Sequence, residues 1–164
     1  MKKLVLLRHA KSSWDNMGLS DFERPLNERG KRDAPIMGQH LAKKRHLKLD
    51  SIIASPAKRA LKTAKIIAGE LRFSEEKITK NSSIYGAGLA EMLSIISKID
   101  DTLNTVMLVG HNPTFTTLAY YLTHNPVDNI PTCGVFCVDF DAKKWQDITE
   151  ASGKLDFFDY PKNI

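Results

Sequence analysis

The sequence has few cysteines and few aromatic residues. Of its 164 residues, 8% are aromatic and two are cysteines, Cys133 and Cys137. Two cysteines do not supply the paired ligands of a zinc site. Four residues along one strand would place their Cα atoms roughly 13 Å apart, too far for a disulfide. We therefore expect two reduced, buried thiols and no metal site.

Long apolar runs are also missing. The longest one near the amino terminus, Leu4–Leu7, is too short for a membrane span or for the core of a signal peptide. The length suits a single domain over residues 1–164, which is large enough to form a core without a disulfide or a metal. We expect a cytoplasmic protein without membrane contact, and the size favours a monomer.

The charge balance is modestly positive. Lysine and arginine total 24 against 19 for aspartate and glutamate, which gives a net charge of +5. Such an excess favours a phosphorylated substrate through long-range attraction. The densest basic patch, residues 43–48, fits a solvated helix end. No basic stripe is interleaved with aromatic residues, so we expect no nucleic-acid partner.

Apolar runs and helical periods alternate along the chain. Strands are predicted at residues 3–7, 51–54, 77–84 and 105–109. Alternation after Cys133 predicts a further strand, with residues 145–150 pairing back as a hairpin. Strands separated by helices indicate βαβ units. The predicted fold is therefore a three-layer α/β/α arrangement with a mostly parallel central sheet.

The predicted helices have recognisable starts. Residues 27–45 form one helix with Asn27 as its N-cap, although Pro35 lies inside it. Ser55-Pro56 and Asn112-Pro113 each combine a capping residue with a first-turn proline. A fourth helix has apolar residues at three-and-four spacing between residues 89 and 99.

Polar residues that suit phosphate chemistry follow three predicted strands. Arg8 and His9 follow the first strand, Arg59 lies in the first turn after the second, and His111 follows the strand at 105–109. In parallel sheets, the carboxyl ends of the strands share one edge, where ligands bind. We therefore expect these four side chains to meet around a common anion.

These residue types point to phosphoryl transfer without a metal or cofactor. Guanidinium groups bind phosphate oxygens bidentately, and helix N-termini add N–H donors. A neutral imidazole is a competent nucleophile near pH 7, and a second histidine can donate a hydrogen bond to phosphate. The chemistry alone does not decide between His9 and His111 as the nucleophile.

Several other polar residues are weaker candidates. Ser12 can donate a hydrogen bond to phosphate or simply shape the loop. Asp15 and Asp21 can position water or act as weak acids at the rim of the site. The alternative for Asp21 is a turn aspartate that bonds its own backbone. Tyr85 is a minor candidate.

Three segments resemble the signatures of a known family. LVLLRHAKSSW, SPAKRALKTA and VMLVGHNP, in this order, are similar to those of the histidine phosphatase superfamily, the phosphoglycerate mutase-like proteins. The resemblance spans residues 3 to about 122. It implies a phosphoglycerate mutase-like fold with His9 as the nucleophile and with Arg8, Arg59 and His111 holding the phosphate.

Within that superfamily, the chain resembles the SixA-like phosphohistidine phosphatases. The resemblance rests on the short length, the DFERPLNERG segment and the brief spacer between Ile84 and Leu93, which leaves no room for a large lid insertion. Larger mutases place a glutamate acid/base after the third strand, whereas Glu91 falls on a predicted helix face. An enzyme that acts on phosphohistidine has less need of such an acid, because the P–N bond of the substrate breaks easily once its ring is protonated.

The resemblance therefore implies a metal-independent phosphatase that acts through a phosphohistidine on His9. Its partner would be a phosphorylated substrate, such as a protein bearing phosphohistidine. Two alternatives remain open from the sequence. One is a phosphoglycerate mutase-like enzyme or small-metabolite phosphatase using the same site, and the other is a catalytically weak phospho-ligand binding module.

Overall fold

Six strands form one sheet in the computed structural model, which describes residues 1–164. In chain order they are β1 (Lys2–Arg8), β2 (Ser51–Ala54), β3 (Thr79–Lys80), β4 (Thr105–Gly110), β5 (Val135–Phe140) and β6 (Gly153–Asp159). The order across the sheet is β3-β2-β4-β1-β5-β6. The first four strands in this order are parallel, while β5 is antiparallel to β1 and to β6. The predicted mostly parallel sheet is confirmed.

Helices cover both faces of the sheet. They are α1 (Glu28–Lys43), α2 (Lys58–Glu70), α3 (Leu89–Ser97) and α4 (Thr114–Thr123). Alternate residues of β1 point to opposite faces. Val5 and Leu7 join the core beneath α1 and α2, whereas Leu4 and Leu6 join the core beneath α3 and α4. The three-layer α/β/α architecture is therefore confirmed.

The helix starts agree only in part with the prediction. The Asn27 side chain accepts a hydrogen bond from the Gly30 amide at 2.9 Å, and α1 continues through Pro35. By contrast, α2 begins at Lys58, two residues later than the predicted start. The Ser55 hydroxyl accepts a hydrogen bond from the Ala57 amide in a turn before the helix, so it does not cap the helix itself.

The helix after β4 also begins later than expected. α4 starts at Thr114, directly after Pro113. The Asn112 side chain still accepts a hydrogen bond from the Thr116 amide at 3.2 Å. Asn112 therefore still caps the helix, although the helix begins two residues after it and Pro113 occupies the N-cap position.

Two strand predictions were wrong in extent or position. Of the predicted strand at 77–84, only Thr79–Lys80 pairs with β2, and short 3-10 turns flank it. The partner of β5 is β6, not residues 145–150. Trp145 is instead fully buried, with its indole N–H donating to the Leu103 carbonyl at 2.8 Å. Residues 145–147 therefore form a 3-10 turn packed against the core and are not a strand of the sheet.

Two further findings concern the absences noted in the sequence. Both cysteines are free and buried, as predicted, although Cys133 precedes β5 and does not share a strand with Cys137. None of the four helices has the length and apolar character needed to cross a membrane.

The first turn of α1 packs closely against the loop that follows β1. The Asn27 amide donates to the Lys11 carbonyl at 2.9 Å. A Cβ atom at Gly30 would collide with the same carbonyl oxygen. Only glycine at position 30 lets the helix lie this close to the Lys11 carbonyl. This close packing holds the segment that follows His9 in place.

Candidate active site

The strand register brings three strand ends to one level of the sheet edge. Arg8 of β1 pairs with Gly110 of β4, and Ala54 of β2 pairs with Val109. The ladder continues beyond the strands, because the His9 amide donates to the Gly110 carbonyl at 3.1 Å. Residues that follow these strands therefore lie side by side, as the sequence predicts.

The two predicted histidines are neighbours. The ring centroids of His9 and His111 are 5.3 Å apart, and His9 is only 7% exposed. Burial lowers the pKa of His9 to about 3, and the nearby positive charges of Arg59 and Arg8 act in the same direction. Burial and Arg59 lower the pKa of His111 to about 4. Both rings are therefore neutral near pH 7.

The backbone sets the tautomer of His9. Its Nδ1 lies 2.7 Å from the Ala10 carbonyl oxygen. A carbonyl oxygen only accepts hydrogen bonds, so Nδ1 carries the proton and Nε2 carries the lone pair. A neutral ring with a free Nε2 lone pair is the form required of a nucleophile.

His111 is oriented by a residue from another strand end. Its Nε2 lies 2.8 Å from the hydroxyl of Ser55, which is fully buried directly after β2. When this hydroxyl donates to Nε2, the proton of the neutral ring resides on Nδ1. Ser55 was predicted only as a helix cap, although its position at the end of a buried strand already signalled a place in the site.

Arg8 is positioned from the opposite side. Its Nη1 donates to the Ile130 carbonyl at 2.9 Å, and the Asn112 side-chain amide donates to the same oxygen at 2.9 Å. The loop between α4 and β5 thus holds this guanidinium and the start of α4 through one carbonyl group.

Arg59 is 6% exposed and is tied to residues on two loops. Its Nη1 donates to the Asp21 carbonyl at 2.7 Å, and its Nη2 donates to the Asp21 carboxylate at 3.0 Å. The Thr63 hydroxyl, one turn later on α2, accepts the Ala10 amide at 3.0 Å and donates to the Arg59 carbonyl at 2.7 Å. These bonds fix α2 against the residue after His9.

Three side-chain nitrogens in the chain are buried without a hydrogen-bond partner. They are Nε of Arg8, Nε of Arg59 and Nδ1 of His111. Buried N–H groups are nearly always paired, because burying one unpaired costs about 1–3 kcal/mol. All three belong to residues that the sequence assigns to phosphate binding. Their chemistry fits an anion with several acceptor oxygens.

Asp21 is part of the site but is not a proton donor. Its carboxylate accepts the Tyr85 hydroxyl at 2.6 Å and also contacts Arg59 and Arg24. The Tyr85 hydrogen bond, followed by the two arginines, lowers the pKa of Asp21 to about 2. It is therefore ionised at neutral pH, which argues against the predicted acid role. The carboxylate also does not bond its own backbone, so the alternative of a simple turn aspartate does not hold.

The other weak candidates, Ser12 and Asp15, make no hydrogen bond with the four predicted phosphate-site residues. Ser12 is buried, and its hydroxyl accepts Nη1 of Arg24 at 2.7 Å. Ser12 thus shapes the loop, which was one of its two predicted roles. Asp15 is exposed, and its carboxylate makes no hydrogen bond or ion pair within the protein, so its role at the rim of the site stays a prediction.

Arg24 is a residue that sequence reasoning missed. It is 8% exposed and links Ser12 with Asp21, while its guanidinium lies 3.5 Å from the ring centre of exposed Trp14. Arg24 itself lies outside the three strand-end motifs, although its partner Ser12 belongs to the first of them, so no local pattern marked it. Its contacts hold the loop that carries Asp21.

A cavity of about 410 Å³ lies next to Asp21, Arg59 and His111. Charged and polar groups of Asp21, Arg59 and His111 line one wall, and Ile84 and Phe115 contribute apolar surface. No cluster of three or more His, Cys, Asp or Glu side chains has the arrangement of a metal site.

Glu91 lies outside this cavity. Its Oε2 accepts the Gly88 amide at 3.0 Å, which makes it a cap for the first turn of α3. The cavity residues therefore include no carboxylic acid that is protonated at neutral pH, since Asp21 is ionised.

The low pKa of His9 predicts a specific acid sensitivity. A buried neutral histidine binds its proton more readily when unfolded, at a pKa near 6.5, so stability falls as pH drops from 6.5 toward 3. We expect the His9→Asn variant to lose less unfolding free energy than the wild type between pH 7 and 4.5, by on the order of 2 kcal/mol. Urea denaturation at both pH values measures this difference.

The matched control is His46→Asn, which removes an exposed imidazole. This variant is expected to retain the wild-type acid sensitivity. Equal losses in the His9 variant and the wild type would contradict the assigned protonation state of His9.

The fold and the edge site together define a class. The three-layer fold has the phosphoglycerate mutase-like architecture, without large insertions. The ends of β1, β2 and β4 bring two arginines and two histidines to one edge of its sheet. A family model described as histidine phosphatase superfamily (branch 1) matches residues 4–82. The chain belongs to the histidine phosphatase superfamily.

Individual relatives agree with this assignment. An uncharacterised chloroplast protein of Arabidopsis thaliana is 30% identical over 160 residues, which cover 93% of this chain and 72% of the relative. The crystal structure of a proposed phosphohistidine phosphatase SixA from Agrobacterium tumefaciens has 30% identity and a TM-score of 0.81, with 98% of each chain covered. A SixA structure with tungstate has a TM-score of 0.78 at 18% identity and shows the shared fold. The family and these neighbours support a phosphatase.

Proposed function

We propose that residues 1–164 form one domain that acts as a metal-independent phosphohistidine phosphatase through a covalent intermediate on His9. The observation that carries the proposal is the combination of a neutral imidazole, whose Nε2 lone pair is free, with three buried unpaired nitrogens on Arg8, Arg59 and His111. A nucleophile beside several anion-binding donors is the arrangement that phosphoryl transfer requires.

In the first half-reaction, the Nε2 lone pair of His9 attacks phosphorus. A P–N bond forms, and the bond to the leaving group breaks with its electron pair going to that group. Arg8 and Arg59 neutralise the phosphoryl oxygens, and Nδ1–H of His111 donates a hydrogen bond to one of them. Because donors fixed by the fold need little reorganisation, they stabilise the transition state more than water does.

In the second half-reaction, water attacks phosphorus and the P–N bond to His9 breaks. The products are inorganic phosphate and the neutral His9 ring, and the protons of the attacking water remain on phosphate or pass to solvent. The Nδ1 hydrogen bond to Ala10 holds the ring in one orientation through both steps.

The substrate class follows from the protonation states in the cavity. Asp21 is ionised and Glu91 caps α3, so neither supplies a proton to a poor leaving group. A phosphohistidine ring that already carries its own proton leaves as neutral imidazole and needs no enzymic acid. This chemistry favours a phosphohistidine-bearing protein over an alkyl phosphate.

A substrate panel tests the proposal. We expect kcat/KM to be highest for phosphohistidine, lower for an aryl phosphate, and about 100-fold or more below phosphohistidine for sugar phosphates, because only the last need general acid catalysis. EDTA is expected to leave all rates unchanged.

Faster turnover of sugar phosphates would overturn the substrate assignment, and loss of activity in EDTA would overturn the metal-independent mechanism. A requirement for a bisphosphorylated primer, with phosphate returned to the substrate, would instead identify a mutase.

A further inference from the structure

A second concavity lies beside the active site. It has a volume of about 520 Å³ and is formed by the first turns of α1, the loop at residues 129–132 and the carboxy-terminal residues 160–162. We call it the basic groove, after the charged side chains that line it: Arg8, Lys11, Arg29, Arg32, Asp33 and Lys162. The proposed reaction at His9 does not account for it.

The charges of the basic groove are strongly unbalanced. It contains five cations and one carboxylate, whereas the net charge of the whole chain is only +5. Asp33 is shared by Arg29 at 3.7 Å and Arg32 at 3.8 Å. Lys11 and Lys162 make no ion pair. Neighbouring cations repel one another, so a bound polyanion is favoured here.

Arg8 connects the groove to the active site. It lines the groove directly, and it precedes His9 at the end of β1. Its guanidinium is anchored on the Ile130 carbonyl, within the loop that forms one groove wall. The basic groove and the candidate active site therefore share Arg8.

The lining indicates the kind of molecule that fits. Pockets for small ligands are mostly apolar and enclose their ligand, but eight of the eleven residues that line this groove are polar or charged. Its one aromatic side chain, Tyr160, packs its ring against Phe158, so the groove lacks the series of stacking platforms typical of single-stranded nucleic-acid sites. Exposed arginines and lysines around an open groove match carboxylates on a protein surface.

We propose that the basic groove docks an acidic segment of the phosphoprotein substrate and thereby selects it. This inference rests on the proposed function and extends it from the phosphoryl group to the polypeptide that carries it. The groove acts on binding, so its effect belongs in KM and in salt dependence, with kcat unchanged.

The test compares two phosphohistidine peptides that differ only in their flanking residues, which are aspartate and glutamate in one and serine and asparagine in the other. We expect wild-type protein to have a KM about tenfold lower for the acidic peptide, and this preference to fade at high salt. In the Arg29→Gln/Arg32→Gln variant, the preference should fall about fivefold, since two exposed charges are removed. Turnover of p-nitrophenyl phosphate, which is too small to reach the groove, is expected to stay at the wild-type level.

The matched control is Lys62→Gln/Lys65→Gln. It removes two exposed charges from α2, away from the groove, and should keep the full preference for the acidic peptide. Equal KM values for the two peptides in wild-type protein would overturn the proposal, as would an equal loss of preference in the control variant.

A direct binding measurement separates this proposal from the catalytic one. Fluorescence anisotropy with an unphosphorylated acidic peptide is expected to show binding that the Arg29→Gln/Arg32→Gln variant weakens, even if no phosphohistidine turnover is found. No binding of this peptide, or tighter binding of a single-stranded oligonucleotide of the same charge, would overturn the groove assignment whatever the activity.

Discussion

Replacing His9 by alanine is expected to abolish turnover of an aryl phosphate, with a fall in kcat of about 10⁴-fold or more. The size of the effect follows from the proposed role of His9, whose Nε2 would form the bond to phosphorus. No other side chain nearby has a free lone pair on a neutral ring held by the backbone, since Nε2 of His111 is engaged by Ser55. Steady-state rates of the purified variant measure the loss.

A trapping experiment separates the roles of the two histidines. Base-quenched mixing with labelled phosphohistidine, which avoids the acid lability of the P–N bond, should leave label on wild-type protein and on His111→Asn, where formation is slower, but none on His9→Asn. His124→Asn, at an exposed histidine, serves as the control and should behave like the wild type. Label on the His9 variant, or full activity of His9→Ala, would rule out the proposed nucleophile.

Replacing Arg59 by alanine is expected to lower kcat/KM by about 10²- to 10³-fold, the range found when one preorganised donor to a developing charge is removed. Arg59→Lys should recover little of the loss. A lysine presents a point charge and cannot reproduce the planar, two-pronged geometry toward phosphate and Asp21.

Lys65→Ala provides the control for this prediction. It removes an exposed cation from the same helix and should change kcat/KM little. Thermal unfolding of both variants separates a loss of catalysis from a loss of fold, since Arg59 is buried. Near wild-type kcat/KM in a folded Arg59→Ala variant would contradict its assignment to phosphate binding.

The sequence was sufficient to predict the central part of the fold and the meeting of the two histidines at one edge of the sheet. The apolar runs at β1 and β4 are buried on both faces, so they are easily recognised as strands. The parallel register of these two strands brings His9 and His111 together. The general rule about the carboxyl edge of parallel strands then places Arg59 beside them.

The remaining features depend on contacts between distant segments. Only two residues of β3 pair with the sheet, and β6 lies at its other edge, so neither strand has the continuous apolar pattern of a central strand. The link from Arg24 to Ser12 joins positions twelve residues apart, a spacing that corresponds to no helical or strand period. Trp145 was misplaced because an aromatic residue suits a strand as well as a core.

The burial of the two cysteines has a consequence for the conditions under which the protein can work. Burial raises the pKa of Cys133 and of Cys137 to about 12, so neither forms an appreciable thiolate near neutral pH. Peroxide oxidises thiolates, whereas a neutral imidazole resists this oxidation. If His9 is the nucleophile, as proposed, we expect peroxide that inactivates a cysteine-dependent phosphatase to leave the activity of this protein unchanged.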